Sequence, residues 1–338
     1  MASNAMLPTR SHLKPPYDPQ LVSAMTIVTP FPRLKGKIAE GRQVRATAAA
    51  PLQASIRNDA DLVVEDRTIP GLEEHLQIPV IILQLKNSAG AADGQRPGIL
   101  YFHGGGMVIG DPFLGLSFFV HAAKEHDAVL ISVDYRLAPE HPAPAMQDDC
   151  FVALVWVSQH ARELGIDPSR IMVSGVSAGG GLAAGVALRA RDEGGPKLCA
   201  QLLVCPMLDD RDTSVSKKQY TEETFFDGTD NNFSWSCVLG DQAGVQDADV
   251  SPYVAPGRAT DLSGLPPAYI DVGTAEPFRD EDVAYATKLW ECGVQADLHV
   301  WSGGFHGFDI IGEFVGADIS KAALDTKMGW IRRIFSKR

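Results

Sequence analysis

From about residue 60 onward, short β-branched or apolar runs alternate with segments of helical spacing, the pattern of βα units around a largely parallel sheet. Strands are predicted at 62–65, 80–85, 99–103, 129–134, 171–174, 201–205, 268–272 and 297–301. Several of the middle runs are apolar throughout, as strands covered by helices on both faces must be. Helices are predicted over 146–164, where Phe151, Leu154, Val155 and Val157 are apolar, over the Ala-rich stretch 178–191, and over 280–290, where Val283, Ala286 and Leu289 recur at helical intervals. The expected fold is one α/β domain with an eight-stranded, mostly parallel sheet flanked by helices.

Two regions break the alternation. Residues 6–50 hold many of the prolines and basic residues, and residues 208–262 are rich in Asp, Ser and Thr around a predicted helix at 231–239. Both read as insertions forming a cap over the carboxyl edge of the sheet, where open α/β sheets bind ligands. Residues 87–96, with Gly90, Asp93 and Gly94, read as a solvated connection, and residues 1–5 as a tag remnant outside the fold.

Composition narrows the function. A net charge of −12 without clustered Lys and Arg excludes a nucleic-acid surface and points to a small, neutral or apolar ligand. The five cysteines (150, 199, 205, 237 and 292) are scattered and contain no Cys-x-x-Cys pair, so neither a disulfide framework nor a zinc site is expected. No apolar run approaches the roughly 18 residues that cross a bilayer, and no basic segment leads into an apolar one. A cytoplasmic protein without stable membrane insertion is the expectation.

The chemistry concentrates in a few stretches. Gly175-Val176-Ser177-Ala178-Gly179 fits Gly-x-Ser-x-Gly, a strand-to-helix turn tight enough to demand glycine on either side of the serine. Upstream, His103-Gly104-Gly105-Gly106 ends a predicted strand with three glycines, which exposes peptide N–H groups able to stabilise an oxyanion. Neither glycine run fits a dinucleotide fingerprint or a phosphate loop, so nucleotide binding is disfavoured. A serine nucleophile needs a base and an acid to orient that base. His306, in Gly303-Gly304-Phe305-His306-Gly307-Phe308 after the last predicted strand, is the candidate base. His12, His75, His121, His126, His141, His160 and His299 lack such a setting and read as surface or structural. Among the carboxylates after the strand at 268–272, Glu276 beside Pro277 is the candidate acid. Asp280, Glu281 and Asp282 suit the first turn of a helix, while Asp280 and Asp271 stand behind Glu276 as alternatives.

Together these motifs resemble the hormone-sensitive-lipase-like, or bacterial family IV, esterases of the α/β-hydrolase superfamily. His103 to Gly106 is similar to the family's oxyanion motif, and Asp134-Tyr135-Arg136-Leu137-Ala138-Pro139-Glu140 to its structural signature. Gly175 to Gly179 is similar to the elbow, Glu276 to Glu281 to the acid motif, and His306-Gly307-Phe308 to the histidine motif. Val176 and Glu276 stand where the family most often has Asp or Thr and Asp. The resemblance implies a Ser177–His306–Glu276 triad acting on small, short-chain acyl esters through an acyl-enzyme. It implies an oxyanion hole of Gly104, Gly105, Gly106 and Ala178, in which Gly104 shapes the turn and the other three donate. His103 and the Asp134–Glu140 signature would then be structural. No metal or organic cofactor is implied, and a homodimer through the last strand or helix is compatible with it. Amide, lactone or carbamate hydrolysis would use the same machinery. A non-catalytic small-ligand receptor would be expected to lack His306.

Overall fold

In the computed structural model, residues 13–27, 33–88, 95–211, 213–222 and 226–336 are described. Residues 1–5, expected to be a tag remnant, His12, and Gly90, Asp93 and Gly94 lie outside them. The first half of the chain contains α1 (Pro19–Ile27), α2 (Ile38–Arg57), β1 (Leu62–Pro70), β2 (Gln77–Leu85), β3 (Arg96–Phe102), α3 (Ser117–His126), β4 (Val129–Val133), α4 (Ala145–Gln159) and α5 (Ala161–Leu164). It continues with β5 (Ile166–Val176), α6 (Ala178–Asp192), β6 (Ala200–Val204), α7 (Val215–Gln219), α8 (Gly228–Leu239), β7 (Ala268–Gly273), α9 (Arg279–Glu291), β8 (Ala296–Trp301), α10 (Phe308–Ile311) and α11 (Asp318–Phe335).

The eight strands form one sheet in the order β1-β2-β4-β3-β5-β6-β7-β8. β2 pairs antiparallel with β1 and β4, and every pairing from β4 through β3 to β8 is parallel. All residues of β3, β4, β6 and β7 are buried, which explains their largely apolar sequences, with Arg96, Ser132, Gln201 and Asp271 the buried polar exceptions. β1 runs five residues past its predicted end because it is an edge strand. Its exposed Asp66 and Thr68 break the apolar run while the full register from Leu62↔Leu85 to Pro70↔Gln77 is kept.

Helical ends also depart from the sequence pattern. The helix predicted over 146–164 is interrupted at His160, whose Nδ1 lies 2.9 Å from the Trp156 carbonyl oxygen and so takes up a helix-end acceptor. α8 starts three residues earlier than predicted because Asp227 caps it, accepting from Thr229 N at 2.9 Å and Asp230 N at 3.1 Å. α3 and α11 pack together, and α6 lies across β3, β5 and β6. Parallel strands that all point one way place their carboxyl ends, and the loops after β3, β5, β7 and β8, along one edge. Among the described residues no helix is long and apolar enough to cross a membrane.

Candidate active site

Between the end of β5 and the start of α6 stands a single residue, Ser177, with φ 58° and ψ −120°. An L-residue at that φ is strained, and the surroundings enforce it. Ser177 N donates to Val204 O at 2.8 Å, while its own carbonyl accepts from Met207 N at 2.9 Å and Gly181 N at 3.1 Å. The flanking glycines are sterically required. A Cβ on Gly175 would stand 2.2 Å from the Gly179 backbone, and one on Gly179 would stand 1.9 Å from Phe102 O.

His306 lies in the turn between β8 and α10, and Glu276 follows β7 by three residues. The two turns are stitched together: Ala275 N donates to Gly304 O at 2.9 Å, and Gly303 N donates to Thr274 Oγ1 at 2.8 Å. Glu276 is 1 % exposed, and its Oε1 accepts from Gly273 N at 3.0 Å. Its other oxygen, Oε2, lies 2.6 Å from His306 Nδ1, while His306 Nε2 lies 2.9 Å from Ser177 Oγ. A carboxylate only accepts, so Nδ1 carries the proton and Nε2 is left to accept from the serine hydroxyl. Phe278, fully buried, meets the imidazole edge-on with centroids 5.0 Å apart, and Phe226 approaches it at 5.6 Å. The structure thus brings Ser177, His306 and Glu276 into one hydrogen-bonded row.

The alternative acids are engaged elsewhere. Asp280 accepts from Ser216 N at 2.8 Å and from Arg279 Nε at 2.8 Å in the first turn of α9. Asp271 points into a buried cluster with Lys327 and Asp309, its Oδ2 3.5 Å from Lys327 Nζ. Glu281 is salt-bridged to buried Lys217 at 2.7 Å.

The three glycines after His103 curl under the site. Gly105 and Gly106 have φ of 112° and 64°, and a Cβ on Gly105 would lie 2.1 Å from Ile109 O. Gly104 has ordinary backbone geometry but approaches the nucleophile closely, since a Cβ there would touch Ser177 Cβ at 3.4 Å. The N–H groups of Gly105, Gly106 and Ala178 have no acceptor among the described residues. His103 is fully buried and stacks on Tyr135 at 4.2 Å, and Tyr135 Oη donates to His103 O at 2.7 Å. Burial pushes the His103 imidazole down to about 4, so it is neutral at pH 7. Ala138 N donates to Met107 O at 2.9 Å, and Arg42 Nε donates to Val108 O at 2.9 Å, which ties the Asp134–Glu140 stretch and α2 to this loop.

Ser177 and His306 line a cavity of about 140 Å³. Ile109, Leu114, Val176, Ile310 and Ile311 supply apolar wall, whereas Arg33, Arg45, Phe226 and Asp230 come from the two regions outside the sheet pattern. The sequence motifs did not single out these four, because nothing near them in sequence announces a site. A larger hollow, about 720 Å³, opens at the amino ends of β5, β6 and β7 around Arg170, Cys199 and Pro267, far from any nucleophile–base pair.

Cys205, Glu276 and His306 place a thiol, a carboxylate and an imidazole within 4.8 Å of one another. Burial, reinforced by Glu276 and other nearby carboxylates, holds the Cys205 thiol well above its ordinary range. The carboxylate and imidazole already bond to each other, so the group fits a protonated thiol packed beside a hydrogen-bonded pair better than a metal-ligand set.

A serine on a strained elbow, a histidine–carboxylate pair after later strands and a glycine-rich loop after β3 define an α/β hydrolase. Residues 99–310 match the alpha/beta hydrolase fold family, and the chain belongs to it, as a hormone-sensitive-lipase-like, carboxylesterase-type hydrolase. It is 36% identical over 278 residues to Esterase LipI of Mycobacterium tuberculosis, covering 77% of this chain and 84% of that one. It is 37% identical over 279 residues to Carboxylesterase NlhH of the same organism, covering 80% and 83%. Among solved structures it is similar to "Bacterial Heroin Esterase", with a TM-score of 0.85 and 37% identity over 94% of this chain and 98% of that one.

Proposed function

We propose that the protein hydrolyses small, short-chain carboxylic esters in two steps through an acyl-enzyme on Ser177. The observation that carries this reading is the unbroken row from Glu276 Oε2 to His306 Nδ1 at 2.6 Å and from His306 Nε2 to Ser177 Oγ at 2.9 Å. Ser177 Oγ attacks the ester carbonyl carbon while its proton passes to Nε2. The oxyanion accepts from the backbone N–H groups of Gly105, Gly106 and Ala178, the last at the positive end of α6. Gly104 sets the approach of that loop. Glu276 holds the ring and stabilises the imidazolium, which then protonates the departing alkoxide. Water repeats the attack on the acyl-enzyme, and the proton returns to Ser177.

Residues 6–50 and 208–262 form the cap in this reading, supported by the cavity wall that Arg33, Arg45, Phe226 and Asp230 supply. A cavity of about 140 Å³ is small beside the roughly 300–1,000 Å³ of drug-sized pockets, which favours short acyl chains. The names of the similar proteins favour esters over amides or lactones. The test is a series of p-nitrophenyl esters of rising acyl length, with amide and lactone counterparts, on the wild type and Ser177→Ala. The expected result is ester turnover that falls with chain length and is lost in Ser177→Ala. Turnover surviving in that variant would overturn the proposal.

A further inference from the structure

Arg42, on α2, joins three segments of the chain through one guanidinium. Its Nε donates to Val108 O at 2.9 Å, and its Nη2 donates to Ala138 O at 3.1 Å. Nη1 and Nη2 also donate to the two carboxylate oxygens of Glu140, at 2.8 Å and 2.7 Å. The salt bridge to Glu140 lies at the surface, where such pairs contribute little. The two carbonyls matter more, because Val108 and Ala138 are fully buried and would be left short of a charged donor. A guanidinium suits the arrangement, since its planar fork reaches several acceptors at once, whereas an ammonium is a single point.

Those carbonyls control the loop after β3. Gly105, Gly106 and Met107 follow one another with φ of 112°, 64° and 61°. Met107 has a side chain, so it sits at that φ under strain and has to be held by its surroundings. Two successive carbonyls do this: Met107 O accepts from Ala138 N at 2.9 Å, and Val108 O accepts from Arg42. Arg42 also bonds Ala138 O, so the residue that grips Met107 is itself gripped. Val108 N and Ile109 N both donate to Gly105 O, at 3.1 Å and 3.0 Å. The peptide group that carries Gly105 O also carries the Gly106 N–H, so the position of Val108 is passed straight to that donor. We infer that Arg42 is a positioning residue for the oxyanion hole, through which the seating of α2 sets the aim of the Gly106 N–H. The inference rests on the proposed ester hydrolysis at Ser177 and deepens it, giving α2 a part in the reaction that does not depend on touching substrate. Arg42 does not line the cavity and acts through the loop alone.

A short trifluoromethyl ketone reads the oxyanion hole directly. Ser177 Oγ adds to its carbonyl carbon, the hydroxyl proton passes to His306 Nε2, and the carbonyl oxygen becomes an oxyanion with no leaving group to depart. The ketone's inhibition constant Ki and kcat/KM for p-nitrophenyl acetate are measured on the wild type, Arg42→Gln, Arg42→Lys and Glu140→Gln. In Arg42→Gln, kcat/KM should fall about ten- to thirtyfold, less than the roughly 10²–10³-fold cost of deleting a donor outright, and Ki should rise by the same factor. A partly unfolded preparation would lower kcat/KM but leave the Ki of its folded molecules unchanged, so Ki separates positioning from loss of fold. Arg42→Lys keeps a charge beside Glu140 but cannot span the three acceptors, and should restore only part of Ki. Glu140→Gln leaves both carbonyl bonds in place and should change Ki less than about threefold. A wild-type Ki in either Arg42 variant would overturn the inference, as would a rise in Glu140→Gln equal to that in Arg42→Gln. Arg42→Lys decides the matter even if Arg42→Gln does not fold. Ser177→Ala run beside them keeps the two readings apart. If it loses both turnover and ketone binding, the hydrolytic mechanism stands whichever way the Arg42 variants fall, and if it retains turnover, that mechanism fails instead.

Discussion

His306 with Glu276 and Lys327 with Asp309 are both cation-forming groups set against buried acids around the end of β7, yet one pair opens onto a cavity and the other is sealed. Glu276 leaves His306 Nε2 facing Ser177, 2.9 Å away. Lys327 is 1 % exposed, bridges Asp309 and Asp271, and lies 5.5 Å from the centre of the Phe118 ring. Although burial works against its charge, Asp271 and Asp309 hold its pKa above the ordinary lysine value, so it stays an ammonium with no lone pair to accept a proton. In the proposed mechanism, what separates the reactive buried pair from the bracing one is a remaining lone pair directed at the cavity. Lys327 instead ties α11 to the strand that precedes Glu276 and to the helix that follows His306.

The largest expected effects break the open pair. Ser177→Ala and His306→Ala should each lower ester turnover by roughly 10⁴–10⁶-fold with little change in melting temperature, by stopped-flow or long-incubation assays. Glu276→Ala should cost about 10³–10⁴-fold, because the imidazole loses both its orientation and its counter-charge. Asp280→Ala, assayed beside it, should stay within about threefold of wild type, since the hydrogen bonds it loses, from Ser216 N and Arg279 Nε, lie in the first turn of α9 and touch none of Ser177, His306 and Glu276. The reverse outcome would move the acid from Glu276 to Asp280.

Breaking the sealed pair should act on stability instead. Lys327→Met leaves two buried acids without their cation and should cost about 3–5 kcal/mol in denaturant unfolding. Turnover of the folded fraction at low temperature should stay within about tenfold of wild type, far above that of Ser177→Ala. The smallest effect sharpens the same contrast through pH. Burial raises Asp271 to about 6, against an ordinary 3.8, so the native chain holds that proton more tightly than the unfolded one. Its contribution therefore favours the fold below about pH 4 and is lost as pH rises through about 6. Asp271→Asn should show a shallower fall in melting temperature across that window, and an unchanged slope would contradict the assignment.

How much of this was legible in the sequence follows from the same physics. The central strands could be read because burial on both faces leaves a largely apolar run, while β1 was read short because an edge strand shows water about half its residues. Ser177, Glu276 and His306 were legible because each sits in a turn whose glycines or proline are forced by geometry. Lys327 was not, since a lysine in the apolar stripe of Ala323, Trp330, Ile331 and Ile334 reads as surface until Asp309 and Asp271 close around it. Arg45 was hidden differently, because its cavity is assembled from α2, the glycine loop, α8 and α10, which are separated by up to most of the chain. The motifs mark Ser177, His306 and Glu276, and the cavity wall around them is built from residues that meet only in three dimensions.

The central claim is that Ser177 is the nucleophile made reactive by His306, and covalent trapping tests it most directly. Treating the protein with a diethyl p-nitrophenyl phosphate ester and mapping the product by peptide mass spectrometry should place one diethylphosphoryl group on Ser177. The modification should keep pace with loss of esterase activity and be absent in Ser177→Ala and His306→Ala. Full inactivation with the adduct on another residue, or labelling of Ser177 at the same rate in His306→Ala, would contradict it.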